Sequence, residues 1–156
     1  MDLLQLAAQR YSVRKFDPNP VEEEKLQSIL ELGRLAPTAK NLQPQKILVI
    51  REKEGLAKLD KAARMYGAPL GLLVCADLNQ SWKRPFDEMD SAMIDTSIVT
   101  TYMMLEATRQ GLGSVWICFF KPDVMREEFH LPRHIVPVSL LAVGYAASDA
   151  VPAEVH

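Results

Sequence analysis

Several things are scarce in this chain, and each scarcity closes off a class of protein. There are only two cysteines, Cys75 and Cys118, far apart and each set in an apolar, strand-like run. No disulfide framework follows from that arrangement, and buried free thiols are expected. Positive charge is not in excess: 18 Lys and Arg face 20 Asp and Glu, for a net charge of −2, so nucleic acid is not the expected partner. Long hydrophobic runs are missing as well. The longest, Ala68 to Ala76, is interrupted by Pro69 and is too short to cross a bilayer. The opening Met1-Asp2-Leu3-Leu4 has no basic segment followed by an apolar one, so no membrane association and a cytoplasmic location are expected. The histidines, His130, His134 and His156, have no suitably spaced Cys, Asp or Glu, and no metal site is expected. Neither repeats nor a linker divide the chain, so residues 1–156 are read as one domain. A chain of this length buries about 70% of its unfolded surface without staples.

What is present alternates between helical and strand-like patterns. Leu3, Leu4, Ala7 and Ala8 recur at helical spacing up to about Arg10. Asp17-Pro18-Asn19-Pro20 then starts a second helix, with Asn19 as N-cap and Pro20 at the first position, ending at Ala36 before Pro37. Strands are expected at Lys46–Arg51, Leu70–Asp77, Ser114–Phe120 and Val138–Tyr145, and helices at Glu52–Arg64 and from Pro122 to about Phe129. The longest helix is expected over Asp87–Gln110. Its apolar surface, including Met89, Ala92, Met93, Thr96, Val99 and Met103, is so broad that it must be covered on several sides, at the domain centre, across a subunit interface, or both. The sum is an α+β domain.

Two stretches carry the chemistry. In Arg10-Tyr11-Ser12-Val13-Arg14 an extended backbone puts Arg10, Ser12 and Arg14 on one face and Tyr11 and Val13 on the other. Two guanidinium forks and a hydroxyl can converge on a phosphate, and the same five residues also suit a solvated strand edge. The loop Pro37-Thr38-Ala39-Lys40-Asn41-Leu42-Gln43-Pro44-Gln45 is stiffened by two prolines and rich in amides. Asn41 and Gln43 can donate and accept at the edge of a heteroaromatic ring, or bond their own backbone in a turn.

Four stretches in order resemble the nitroreductase family of FMN-dependent oxidoreductases: Arg10-x-Ser12-x-Arg14-x-Phe16; Ala36-Pro37-Thr38-Ala39-x-Asn41-x-Gln43-Pro44; Gly111-Leu112-Gly113-Ser114-x-Trp116-Ile117; and Pro137-x-x-x-x-Ala142-x-Gly144-Tyr145. The resemblance implies a mainly antiparallel central sheet flanked by helices, a homodimer built on the long helix, and FMN as cofactor. It implies that Arg10, Ser12 and Arg14 hold the FMN phosphate. Pro37, Thr38, Asn41 and Gln43 would meet the ring or ribityl oxygens, commonly from the other subunit, and Trp116, Ile117 and Cys118 would run past the ring. The activity implied is hydride transfer from NADH or NADPH through flavin to a small oxidant such as a nitroaromatic or quinone, with no catalytic side-chain nucleophile. The alternative is a protein that binds or stores flavin without turnover, and the space set by Trp82, Phe119 and Phe120 separates the two. One departure stands out: relatives often carry a cation soon after the Gly-Tyr strand, whereas here Ala147 to Val155 has none, so either the natural chain continues beyond His156 or the phosphate relies on Arg10 and Arg14 alone.

Overall fold

A computed structural model describes residues 2–154. The elements in chain order are α1 (Leu3–Gln9), α2 (Glu23–Leu35), a short 3-10 turn at Ala39–Asn41, β1 (Gln45–Ile50), α3 (Lys53–Ala62), β2 (Leu70–Asp77), α4 (Ala92–Arg109), β3 (Gly113–Ile117), α5 (Pro122–Glu128) and β4 (Ile135–Gly144). The strands form one sheet in the order β1-β2-β4-β3, and every pairing is antiparallel. The expected α+β class with an antiparallel centre is what the chain adopts.

Side chains alternate across this sheet and build a core on each face. Leu70, Leu72 and Val74 of β2 with Leu141 and Val143 of β4 pack under α2 and α4, against Ile29, Val99 and Met103. Leu73 and Cys75 with Leu140 and Ala142 pack on the other face, against Leu59 and Met125 from α3 and α5. β2 is buried along its whole length, as a strand covered on both faces must be.

Most boundaries fall within two residues of the sequence reading; β4 starts three residues early, at Ile135, and three other differences have a local setting. The second helix starts at Glu23 with Glu22 at the N-cap position, after a turn in which the Asn19 backbone N–H donates to Asp17 Oδ1 at 2.8 Å. α4 starts at Ala92, because the residues before it form a tight reversal: Lys83 bridges Asp90, Arg84 N donates to Met89 O at 2.9 Å, and Glu88 has φ 57°. β3 stops at Ile117 rather than Phe120. Continued pairing would bring it opposite Pro137, which lacks an N–H, next to the register shift at Val74/Cys75, so the chain turns away and Phe120 bridges Ala63 instead. Cys118 is therefore exposed, not buried as expected, while Cys75 is buried and its thiol is pushed up to about 11 by desolvation.

α4 has two characters. Val99, Thr100, Met103 and Ala107 face the core, whereas Met93 and Ile94 are 66% and 52% exposed. The inward face also carries acids that an apolar pattern does not announce. Glu106 is 5% exposed and accepts from Arg109 Nε and Nη2, each at 2.7 Å, from Ser28 Oγ at 2.6 Å and from Gln110 Nε2 at 2.9 Å.

Candidate functional site

The segment after α1 runs along the free edge of β3. Ser12 bridges Ser114 in parallel, Val13 N donates to Ser114 O at 2.9 Å, and Phe16 bridges Ala146 at the end of β4. Val13 is anchored in the core with Tyr11 packed beside it, as period-two alternation requires. Arg10 and Ser12 are half-buried and Arg14 is exposed. Arg14 Nη1 reaches only the Ser12 carbonyl, at 3.5 Å. Among the described residues neither guanidinium has a carboxylate partner, in contrast to Arg34, Arg51, Arg84 and Arg109. Arg10 lines a cavity of about 150 Å³ with Thr108, Gly111 and Ser114. The Ser114 hydroxyl is buried there without a hydrogen-bond partner. Cationic forks without internal anions beside an unpaired hydroxyl suit an external anion of phosphate type.

Gly113 fixes how closely this segment lies. A Cβ built at Gly113 would sit 2.6 Å from Val13 Cγ2, so the residue that starts β3 has to be glycine for Val13 to seat. Gly113→Ala is expected to destabilise the fold by about 1–3 kcal/mol through overpacking, read as a lowered thermal midpoint. Gly33→Ala is expected to destabilise as well, because its Cβ would sit 2.7 Å from Cγ of the fully buried Met103.

The second expected stretch forms a braced loop between α2 and β1. Ala39 N donates to Asp95 Oδ1 of α4 at 2.9 Å, Asn41 N to Thr38 O at 2.9 Å, and Gln43 N to Thr38 Oγ1 at 3.1 Å. Lys40, Asn41 and Gln43 all lie in the left-handed region, at φ 51°, 53° and 52°. Three non-glycine residues there in one short loop represent stored backbone strain. The amides bond one another: Gln45 Nε2 donates to Gln43 Oε1 at 3.0 Å and Gln43 Nε2 to Asn41 Oδ1 at 2.8 Å. Pro37 and Thr38 lead the chain into this loop, and Asn41 is exposed at its surface. Asp95 was not singled out by the sequence reading. An acid on the inward face of an apolar helix was the available signal, since a carboxylate buried to 1% exposure must find donors, here Ala39 N and Ser91 Oγ.

Trp116, Ile117 and Cys118 fall where β3 leaves the sheet. Trp116 packs toward α4 with its Nε1 buried and unpartnered, Ile117 faces the opposite core, and Cys118 opens to the surface beside Phe119, which is 96% exposed. Trp82 is half-buried in the loop before α4.

The structure does not bring the two stretches together within one protomer. β1 and β3 are the opposite edges of the sheet, three strand spacings or about 14 Å apart. Along α4, Asp95 holds the amide loop and Thr108 lines the cavity at Arg10, a separation of roughly 20 Å at the helical rise. Cations and amides thus occupy diagonally opposite corners.

A family model described as the nitroreductase family matches residues 7–65 and 58–145. Among solved structures, a nitroreductase family protein from Clostridium difficile 630 is 50% identical, with a TM-score of 0.95 over 99% of this chain and 88% of that one. An FMN-dependent nitroreductase from Clostridium difficile R20291 is 27% identical, with a TM-score of 0.83 over 98% of this chain and 92% of that one. A protein of Archaeoglobus fulgidus named as a putative NADH dehydrogenase/NAD(P)H nitroreductase is 31% identical over 95% of this chain and 87% of its own length.

Proposed function

The chain belongs to the nitroreductase family, and on that premise we propose that it is an FMN-dependent oxidoreductase using NADH or NADPH to reduce a small oxidant such as a nitroaromatic or a quinone. The observation that carries the reading is the pair of guanidinium groups, Arg10 and Arg14, held at the β3 edge without internal anions. These residues, with Ser12, would hold the FMN phosphate. Pro37, Thr38, Asn41 and Gln43 would meet polar atoms of the ring or ribityl chain, and the chain at Trp116–Cys118 would lie along the ring. FMN held by these residues would supply the redox chemistry, carrying two electrons from NADH or NADPH to the oxidant. The protein's own work is to hold the ring with one face open and to set donors where negative charge develops on reduction.

The corner-to-corner separation supports a homodimer in which one protomer's cations and its partner's amide loop serve the same flavin. Met93 and Ile94, exposed on α4 beside Ser97, Ile98 and Thr101, offer the apolar surface for that contact. Met93→Asp with Ile94→Asp is expected to give a monomer that has lost FMN, measured by sedimentation and flavin absorbance together. A monomer that keeps FMN would place the site within one chain. Val99 cannot serve for this test because it is fully buried in the protomer core.

The two unpaired thiols fit a reducing, cytoplasmic setting. Among the described residues no helix is long and apolar enough to cross a membrane. The decisive experiment is anaerobic: the yellow holoprotein should bleach on adding NADH or NADPH and regain colour with a quinone or nitroaromatic. A holoprotein that bleaches with neither nicotinamide is a flavin-holding protein, with the exposed Phe119 as the obstacle over the ring.

A further inference from the structure

The amides of the loop form a chain with a direction. Gln45, the first residue of β1, is pinned by its pairing with Ala76, and Asp77 N donates to Pro44 O beside it at 2.8 Å. From this fixed point Gln45 donates to the Gln43 carbonyl oxygen and Gln43 donates to the Asn41 carbonyl oxygen. With its oxygen engaged, Asn41 is left presenting its NH2 group, which has no partner among the described residues. The cost of this arrangement sits at the other end, where Gln45 Oε1 is buried and accepts from nothing. An orphaned buried acceptor and three left-handed residues thus accompany the delivery of one donor at the surface.

We propose that Gln45 is a positioning residue that fixes the sense of the Gln43 and Asn41 amides, so that Asn41 offers hydrogen-bond donors rather than an acceptor to a carbonyl or ring nitrogen of the flavin. This rests on the reading that the loop meets FMN. Aligned amides polarise one another, so the outermost NH2 is a better donor than an isolated one.

The sense can be reversed chemically. A carboxylate at position 45 only accepts, so in Gln45→Glu the Gln43 amide must turn to donate inward. Asn41 then donates to Gln43, and its oxygen faces outward. Gln45→Leu instead cuts the chain and leaves the outer amides free to rotate. FMN affinity is read by quenching of flavin fluorescence, and the thermal midpoint of each flavin-free variant is recorded. Asn41→Ala should weaken binding by about five- to tenfold, the net worth of one hydrogen bond, and Gln45→Leu by about twofold, since a freely turning amide still presents its donors about half the time. Gln45→Glu should weaken it further. The distinguishing result comes from the double variants. In the Asn41→Ala background Gln45→Leu should have no remaining effect on affinity, and Gln45→Glu should keep only the effect of its charge.

Gln45→Leu weakening FMN binding equally with Asn41 present or absent, or not at all, overturns the proposal while leaving the loop contact standing. Asn41→Ala leaving FMN affinity unchanged removes the contact itself, and the positioning role falls with it.

Discussion

Arg14→Ala is expected to weaken FMN binding by about 1.5–3 kcal/mol, the range for a hydrogen bond to a charged group, which is roughly 10- to 150-fold in affinity. The side chain is exposed and makes only a long contact to the Ser12 carbonyl, so its removal strands no internal anion and should leave the fold intact. The loss therefore reads out as binding. Riboflavin, which lacks the phosphate, is the control: its affinity should be the same for the variant and the parent. Arg14→Lys should recover only part of the loss, because an ammonium is a point charge without the planar fork. Raising the salt concentration should shrink the difference for FMN, as screening of an exposed charge requires. An unchanged FMN titration would remove Arg14 from the site.

Glu106→Ala is expected to cost about 1–3 kcal/mol of stability, since it removes a buried common acceptor from Ser28, Gln110 and the exposed Arg109, whose donors then have only water to turn to. The same carboxylate sets an acid limb. Its hydrogen bonds from Arg109 first, then Ser28 and Gln110, outweigh the penalty of burial and bring its pKa down to about 2 from an ordinary 4.5. A folded-state value below the unfolded one means that the stabilisation is complete above pH 4.5 and is lost as the pH falls toward 2. The span corresponds to about 3 kcal/mol at most. Urea unfolding at one flavin concentration should show the parent losing stability across that window and Glu106→Ala losing much less. Equal acid slopes would assign the limb to other carboxylates.

Residues whose partners lie close in sequence, or which are buried regardless of partner, could be read in advance. β2 was legible to the residue because it is apolar on both faces and preceded by Gly67 and Pro69. The alternation of Tyr11 and Val13 was legible for the same reason: only one face of an extended segment can enter the core. Met93 and Val99 were placed together on one broad apolar face, to be covered by the domain, a subunit interface or both, because composition does not separate the exposed Met93 from the fully buried Val99. Cys118 was misplaced because the strand's end is decided elsewhere, by Pro137 and the register shift in a strand that follows it in sequence. The amide loop announced its side chains but not their arrangement. The loop turns left-handed at Lys40, Asn41 and Gln43, and of these only Asn41 is a residue type that favours that conformation. Asp95 and Glu106 were not singled out, because the helical pattern does not show the tertiary donors that satisfy an inward-facing acid.

The proposal that one protomer's cations and its partner's amides serve the same flavin has a genetic consequence. With Arg14→Ala in one copy and Asn41→Ala in the other, each protein alone carries a defect in both of its sites. A mixed pair concentrates the two lesions in one site and leaves the second wholly wild type. Co-expressing two feeble variants should therefore restore activity that neither possesses by itself, as in complementation between alleles.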